Sequence, residues 1–139
     1  MCSPTLSKRE RMVSQKLIEG LFGGGHSRSL AAFPLRVVYC RQERTAGDMP
    51  VQLLISVPKK HFHHAVDRNR VKRQVREAYR QHKSLLWQSV DDHSRLLVAF
   101  VWLSNRHLSS AEVSQRVASL MRRIAEKVAV KAEKEDGQI

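Results

Sequence analysis

Few residues in this chain have the types and spacing that chemistry at a protein site requires. His61-Phe62-His63-His64 groups three imidazoles, but a metal site needs three or four converging ligands, and neither a cysteine pair nor a His-Glu-x-x-His helix completes the set. Paired carboxylates for general acid–base work are equally hard to assemble. Asp91-Asp92 fall in a loop before the last strand, and Glu133, Glu135 and Asp136 in the C-terminal stretch. His107 and Ser110 lack a nucleophile elbow, and Gly23-Gly24-Gly25 is not followed by the Lys-Ser or Lys-Thr of a phosphate-binding loop. Cys2 and Cys40, the only cysteines, read as free thiols. The expectation is a protein with no catalytic residue and no metal ligand of its own.

What remains is charge. The 139 residues hold 25 Lys+Arg against 13 Asp+Glu, a formal charge of +12. Between Lys59 and Lys83 nine positives meet only Asp67 and Glu77, net +7, so more than half of the surplus sits in one segment. Dispersed lysines keep a protein soluble, whereas a dense basic segment creates a local potential of several kT that attracts polyanions. Nucleic acid is therefore the leading partner class. Arg68, Arg70, Lys72 and Arg73 crowd six consecutive positions, a self-repelling arrangement that phosphates would relieve. Asn69 adds an amide donor and acceptor that a purely electrostatic patch does not need. His61, His63, His64 and His82 lie in the same segment and would add charge below neutral pH.

These residues must be positioned by a small number of elements. A chain of this length can bury one compact core, so a single domain is expected, with a core of about 7–130 and flexible tails at 1–6 and 131–139. Ser7-Lys8-Arg9-Glu10 is a capping-box pattern that opens a helix over 7–22, closed by Gly23-Gly24-Gly25. The stretch from His26 to Pro34 can hold a short strand. Leu35 to Cys40 and Val51 to Val57 read as strands, and their proximity predicts an antiparallel hairpin. From about Ala65 the spacing is helical, with Val71, Val75, Ala78 and Tyr79 as the buried stripe and the cations on the remaining faces. Leu96 to Trp102 is apolar without alternation, as in a central strand covered on both faces. A second capping box, Ser109-Ser110-Ala111-Glu112, starts a helix whose stripe is Val113, Val117, Leu120, Met121, Ile124 and Val128. Fraying is expected after Val130. No run approaches the roughly 20 apolar residues of a membrane span, and no apolar stretch follows the basic N-terminal residues as a secretory signal would require. The order of elements predicts an α+β sandwich.

The string Arg68-Asn69-Arg70-Val71-Lys72-Arg73 with Arg76, preceded by Ser56-Val57-Pro58-Lys59-Lys60 and Ala65-Val66, resembles the arginine-rich helix of the bacterial ribonuclease P protein component. The likeness extends more weakly to Leu6-Ser7-Lys8, Leu21-Phe22 and the Leu35–Tyr39 strand. Pro58 stands where the family often has serine or alanine, and the glycine run is longer than usual. The resemblance implies an α-β-β-β-α-β-α two-layer sandwich like the second domain of ribosomal protein S5, with a left-handed βαβ crossover. It implies a cytoplasmic subunit, monomeric outside the holoenzyme, that joins a catalytic RNA removing the 5′ leader of precursor tRNA. Magnesium ions would be held by RNA and substrate, and the protein alone would be inactive. On the same basis Arg68, Asn69, Arg70, Lys72, Arg73, Arg76 and Arg80 would contact the RNA subunit. Ile18, Phe22, Val37, Tyr39, Lys59 and Lys60 would serve the leader, single-stranded RNA being held by stacking beside cations. Core packing is the competing role for Phe22 and Tyr39.

Two other classes, a non-enzymatic binding module of ribosomal or DNA-binding type and a self-sufficient nuclease, make different predictions. A ribosomal-type or other structured-RNA-binding protein would bind RNA without supporting cleavage. A helix-turn-helix DNA reader would need a second helix three or four residues from the basic one, where this chain has Pro58 and a strand. A self-sufficient nuclease would cut precursor tRNA without an RNA subunit.

Overall fold

The computed structural model describes residues 27–43, 50–90 and 93–136. The expected helix over 7–22, with Ile18 and Phe22, lies outside them. The described elements are strands β1 (Arg28–Ala32), β2 (Leu35–Glu43) and β3 (Val51–Ser56), helix α1 (Ala65–Ser89), strand β4 (Ser94–Trp102) and helix α2 (Ser110–Asp136).

The four strands form one sheet in the order β1-β2-β4-β3. β1 and β2 are the hairpin, joined by Phe33 and Pro34, whose peptide bond is cis. β2 pairs antiparallel with β4, Leu35 opposite Trp102, and β3 pairs parallel with β4, Ser56 opposite Val101. The expected hairpin between Leu35–Cys40 and Val51–Val57 is therefore corrected: β4 lies between them. The reason is burial. Leu96, Leu97, Val98, Ala99 and Phe100 are each 0% exposed, and only an interior strand covers both faces of an unbroken apolar run. β2 and β3 take its two sides.

Alternation along the strands divides the core. Leu35, Val37, Tyr39, Leu96, Val98, Phe100 and Trp102 join the larger cluster with α1 and α2, while Val38, Cys40, Leu97 and Ala99 form a smaller cluster on the opposite face. Val71, Val75, Ala78 and Tyr79 are buried as their spacing predicts, and Leu86 extends the stripe. At about 1.5–3 kcal/mol per large apolar side chain, Val71, Val75, Tyr79 and Leu86 supply roughly 6–12 kcal/mol. Like-charge pairs four apart on a helix cost only about 0.2–0.5 kcal/mol each. Packing therefore allows α1 to carry a cationic face that would not sustain a helix alone.

α2 begins as its capping box predicts: Glu112 N donates to Ser109 Oγ and Ser109 N to Glu112 Oε2, both at 3.2 Å. All six residues of its expected stripe are buried. The helix continues to Asp136, past the last apolar position, through Lys, Ala and Glu residues that favour helix.

Candidate nucleic-acid interface

Because β3 and β4 are parallel, both leave the sheet at the same end. The segment after β3, with Lys59 and Lys60, therefore lies beside the segment after β4. Specific contacts join the two. His61 Nδ1 donates to Asn105 Oδ1 at 2.7 Å, and the Phe62 and His107 rings stack with centroids 4.5 Å apart. His107 Nε2 in turn donates to Asp67 Oδ1 at 3.1 Å, in the first turn of α1.

Arg68 completes this clamp. Its Nη1 donates to the carbonyls of Phe62 and His63, at 2.9 and 3.0 Å. Helical spacing explains the assignment: Arg68 is three residues before Val71 and seven before Val75, so it starts on the buried side of α1. Asn69, Arg73, Arg76 and Arg80 recur at i, i+4, i+7 and i+11 on another side, with Asn69 and Arg73 exposed. Arg70 is exposed next to this row and Lys72 is half-buried.

Both acids of the segment have partners. Asp67 serves His107, and Glu77 accepts from Arg80 Nε at 3.0 Å and also from Arg80 Nη2. The Arg80 hydrogen bonds hold the Glu77 carboxyl below the usual carboxylate range. Among the described residues no carboxylate pairs with Arg70, Lys72 or Arg73. Lys59 and Lys60 are exposed at the adjoining sheet end. Lys83, counted in the basic segment, is 2% exposed with its ammonium 5.0 Å from the Trp87 ring centroid, so it belongs to the helix's buried side.

The remaining expected residues lie elsewhere. Val37 is 0% exposed and Tyr39 5%, both packed in the larger cluster under the helices. Core packing, the competing role for Tyr39, is what its side chain does in this structure, and Val37 does the same. Burial pushes the Tyr39 phenol above its ordinary value, against the opposing pull of Arg28 and Arg123. Arg106 was not singled out in the sequence. It is exposed in the turn after β4, its backbone N donating to Ser104 Oγ at 3.1 Å, and only the parallel pairing of β3 with β4 places that turn beside the Lys59 segment. No group of three or more His, Cys, Asp or Glu side chains converges among the described residues.

The arrangement suits a polyanion bound along α1 and across the sheet end, where Lys59, Lys60, Arg70, Lys72 and Arg73 have no carboxylate partner among the described residues. Comparison with known proteins agrees in kind. A protein-family model described as Ribonuclease P matches residues 6–125. The ribonuclease P protein component of Porphyromonas gingivalis is 47% identical over 91 residues, 62% of this chain and 63% of that protein. The chain thus matches slightly less than two thirds of that relative's length. The ribonuclease P protein component of Chlorobium phaeobacteroides is 32% identical over 133 residues, covering 86% of this chain and 88% of the relative. Among solved structures, the ribonuclease P protein of Thermotoga maritima has a TM-score of 0.57 at 22% identity, covering 82% of this chain and 96% of the other. That of Staphylococcus aureus has the same score and identity, covering 87% and 92%. These likenesses place the sheet and helices in the α+β sandwich expected from the arginine motif. With the family match running through nearly all of that sandwich, the chain belongs to the bacterial ribonuclease P protein component family.

Proposed function

We propose that this chain is the protein subunit of a ribonuclease P ribonucleoprotein, binding a catalytic RNA and the 5′ leader of precursor tRNA so that the leader is removed endonucleolytically. The observation that carries this reading is the cationic side of α1. Arg70, Lys72 and Arg73 have no carboxylate partner among the described residues, on a helix whose opposite side is locked in the core. Asn69, Arg73, Arg76 and Arg80 form the row that meets the RNA subunit, with Arg70 and Lys72 beside it. Arg80 can exchange its exposed Glu77 partner for phosphate, since surface ion pairs contribute little. Lys59 and Lys60 serve the leader or the RNA subunit at the end of the sheet. Arg68 acts by holding that segment against α1.

The protein's contribution is electrostatic. Two RNAs brought together repel through their phosphates, and a fixed row of guanidinium groups offsets that repulsion. In this reading magnesium ions belong to RNA and substrate, and the protein works in the cytoplasm as a helper of an RNA enzyme.

Reconstitution tests it. Purified protein alone should leave precursor tRNA intact, and addition of the cognate RNA subunit should form a complex and raise leader cleavage at low magnesium. Cleavage by the protein alone would identify a self-sufficient nuclease. Binding without any gain in cleavage would favour a structural RNA-binding protein.

A further inference from the structure

The same end of the sheet carries a second feature that the arginine helix does not use. Phe33, in the two-residue connection between β1 and β2, is 70% exposed, although its neighbours Pro34 and Leu35 are buried. Single exposed apolar residues are common, but this one is held on a fixed backbone amid cations. The Phe33 carbonyl accepts from Arg116 Nε at 3.1 Å, and the Pro34 carbonyl accepts from Leu103 N at 2.8 Å. Two residues back, the Ala31 carbonyl accepts from Arg123 Nη1 at 3.0 Å. Two arginines of α2 therefore anchor the edge of β1 and bring their charge to it. Arg36 is exposed three residues after Phe33. Among the described residues no carboxylate pairs with Arg36, Arg116 or Arg123.

Register connects this turn to the RNA-facing surface. Leu35 lies opposite Trp102 and Ser56 opposite Val101, so the β1–β2 turn, the exit of β4 with Arg106 and the exit of β3 with Lys59 share one end of the sheet. At about 4.8 Å per strand, β2 and β3 are roughly 10 Å apart. One RNA segment can reach both. An aromatic face fixed beside guanidinium groups is the arrangement that holds an unpaired base, by stacking on the ring with phosphates beside the cations.

We infer that Phe33 is a base-stacking platform, taking an unpaired nucleobase whose flanking phosphates lie toward Arg36, Arg106 and Arg116. This extends the interface from the arginine helix across the sheet end to the β1 edge, and it rests on the ribonuclease P reading above. The base comes either from the catalytic RNA or from precursor tRNA, and two binding arms separate these sources.

The test measures affinity of the full-length protein for the cognate catalytic RNA alone, and affinity of the reconstituted holoenzyme for precursor tRNA. Phe33→Ala should weaken one arm roughly 5- to 150-fold, the effect of losing one stacked base, and the arm that moves identifies the RNA. Phe33→Tyr keeps an aromatic face and should bind like the wild type, whereas Phe33→Leu keeps apolar bulk without it and should bind like alanine. Melting temperature and salt slope should not change. Should alanine lower the melting temperature, the comparison of tyrosine with leucine decides. Wild-type affinity of Phe33→Ala in both arms, or of Phe33→Leu, overturns the platform. If the wild-type protein binds neither RNA, the ribonuclease P reading fails instead.

Discussion

Arg68 and Arg70 are two positions apart, and the helix sends them to different tasks. Arg68 gives its guanidinium to the carbonyls of Phe62 and His63, while Arg70 is exposed with no carboxylate partner among the described residues. Hydrogen bonds from a charged donor contribute about 1.5–3 kcal/mol, so Arg68→Ala should destabilise the protein by about 1–2 kcal/mol in urea denaturation. Arg70→Ala and Arg73→Ala should remain within about 0.5 kcal/mol of the wild type, as surface substitutions do, while weakening RNA binding. Equal stability for all three variants, with equal losses of affinity, would make Arg68 a phosphate ligand like its neighbours. The motif string marks all the arginines alike, because sequence spacing alone does not show which carbonyls a side chain reaches. Val37 and Tyr39 teach the same point in a strand. Both are buried in the larger cluster, and which face they occupy depends on a pairing register that their own residues do not state.

At the scale of elements, what was legible followed periodicity and capping. The stripe of α2 and its Ser109–Glu112 box are found as spacing predicts, and so is the stripe of α1. Strand pairing was less legible, because adjacency along the chain favours joining β2 to β3. The competing demand came from β4, whose uninterrupted apolar run needs neighbours on both sides. That insertion also shapes the candidate site, since only a β3 parallel to β4 brings Lys59 and Arg106 to one end. In α2, six buried side chains amount to roughly 9–18 kcal/mol, and a capping residue to about 1 kcal/mol. The cap therefore sets where α2 starts and not whether it forms. Ser109→Ala should lower stability by about 1 kcal/mol, with the far-ultraviolet helix signal nearly unchanged. Glu112→Gln, which still suits a capping box, should cost less. A gross loss of helix in Ser109→Ala would show that the cap nucleates α2.

For the whole molecule, the surplus of +12 matters by its distribution. Arg68 is committed to a backbone clamp and Lys83 to the buried side of α1. Lys59, Lys60, Arg70, Lys72 and Arg73 have no carboxylate partner among the described residues, and Arg80 can exchange Glu77 for phosphate, so about six phosphate contacts are expected of the basic segment. Each neutralised phosphate contributes about −0.7 to −0.9 to the slope of log affinity against log salt, so the slope for the RNA subunit should be roughly −4 to −5. Arg106 lies in the same sheet end although it is far from the segment in sequence. If the interface continues across that end, Arg106→Gln should make the slope shallower by about one contact and leave the melting temperature unchanged. A slope near zero in the wild type would remove the electrostatic account altogether. An unaltered slope in Arg106→Gln would confine the interface to the arginine helix and the Lys59 segment. The distinction has a mechanistic consequence. A single helix neutralises one stretch of phosphates, whereas a surface running from α1 across the exits of β3 and β4 can engage two RNA strands at once, which is what the proposed role as a bridge between a catalytic RNA and its substrate requires.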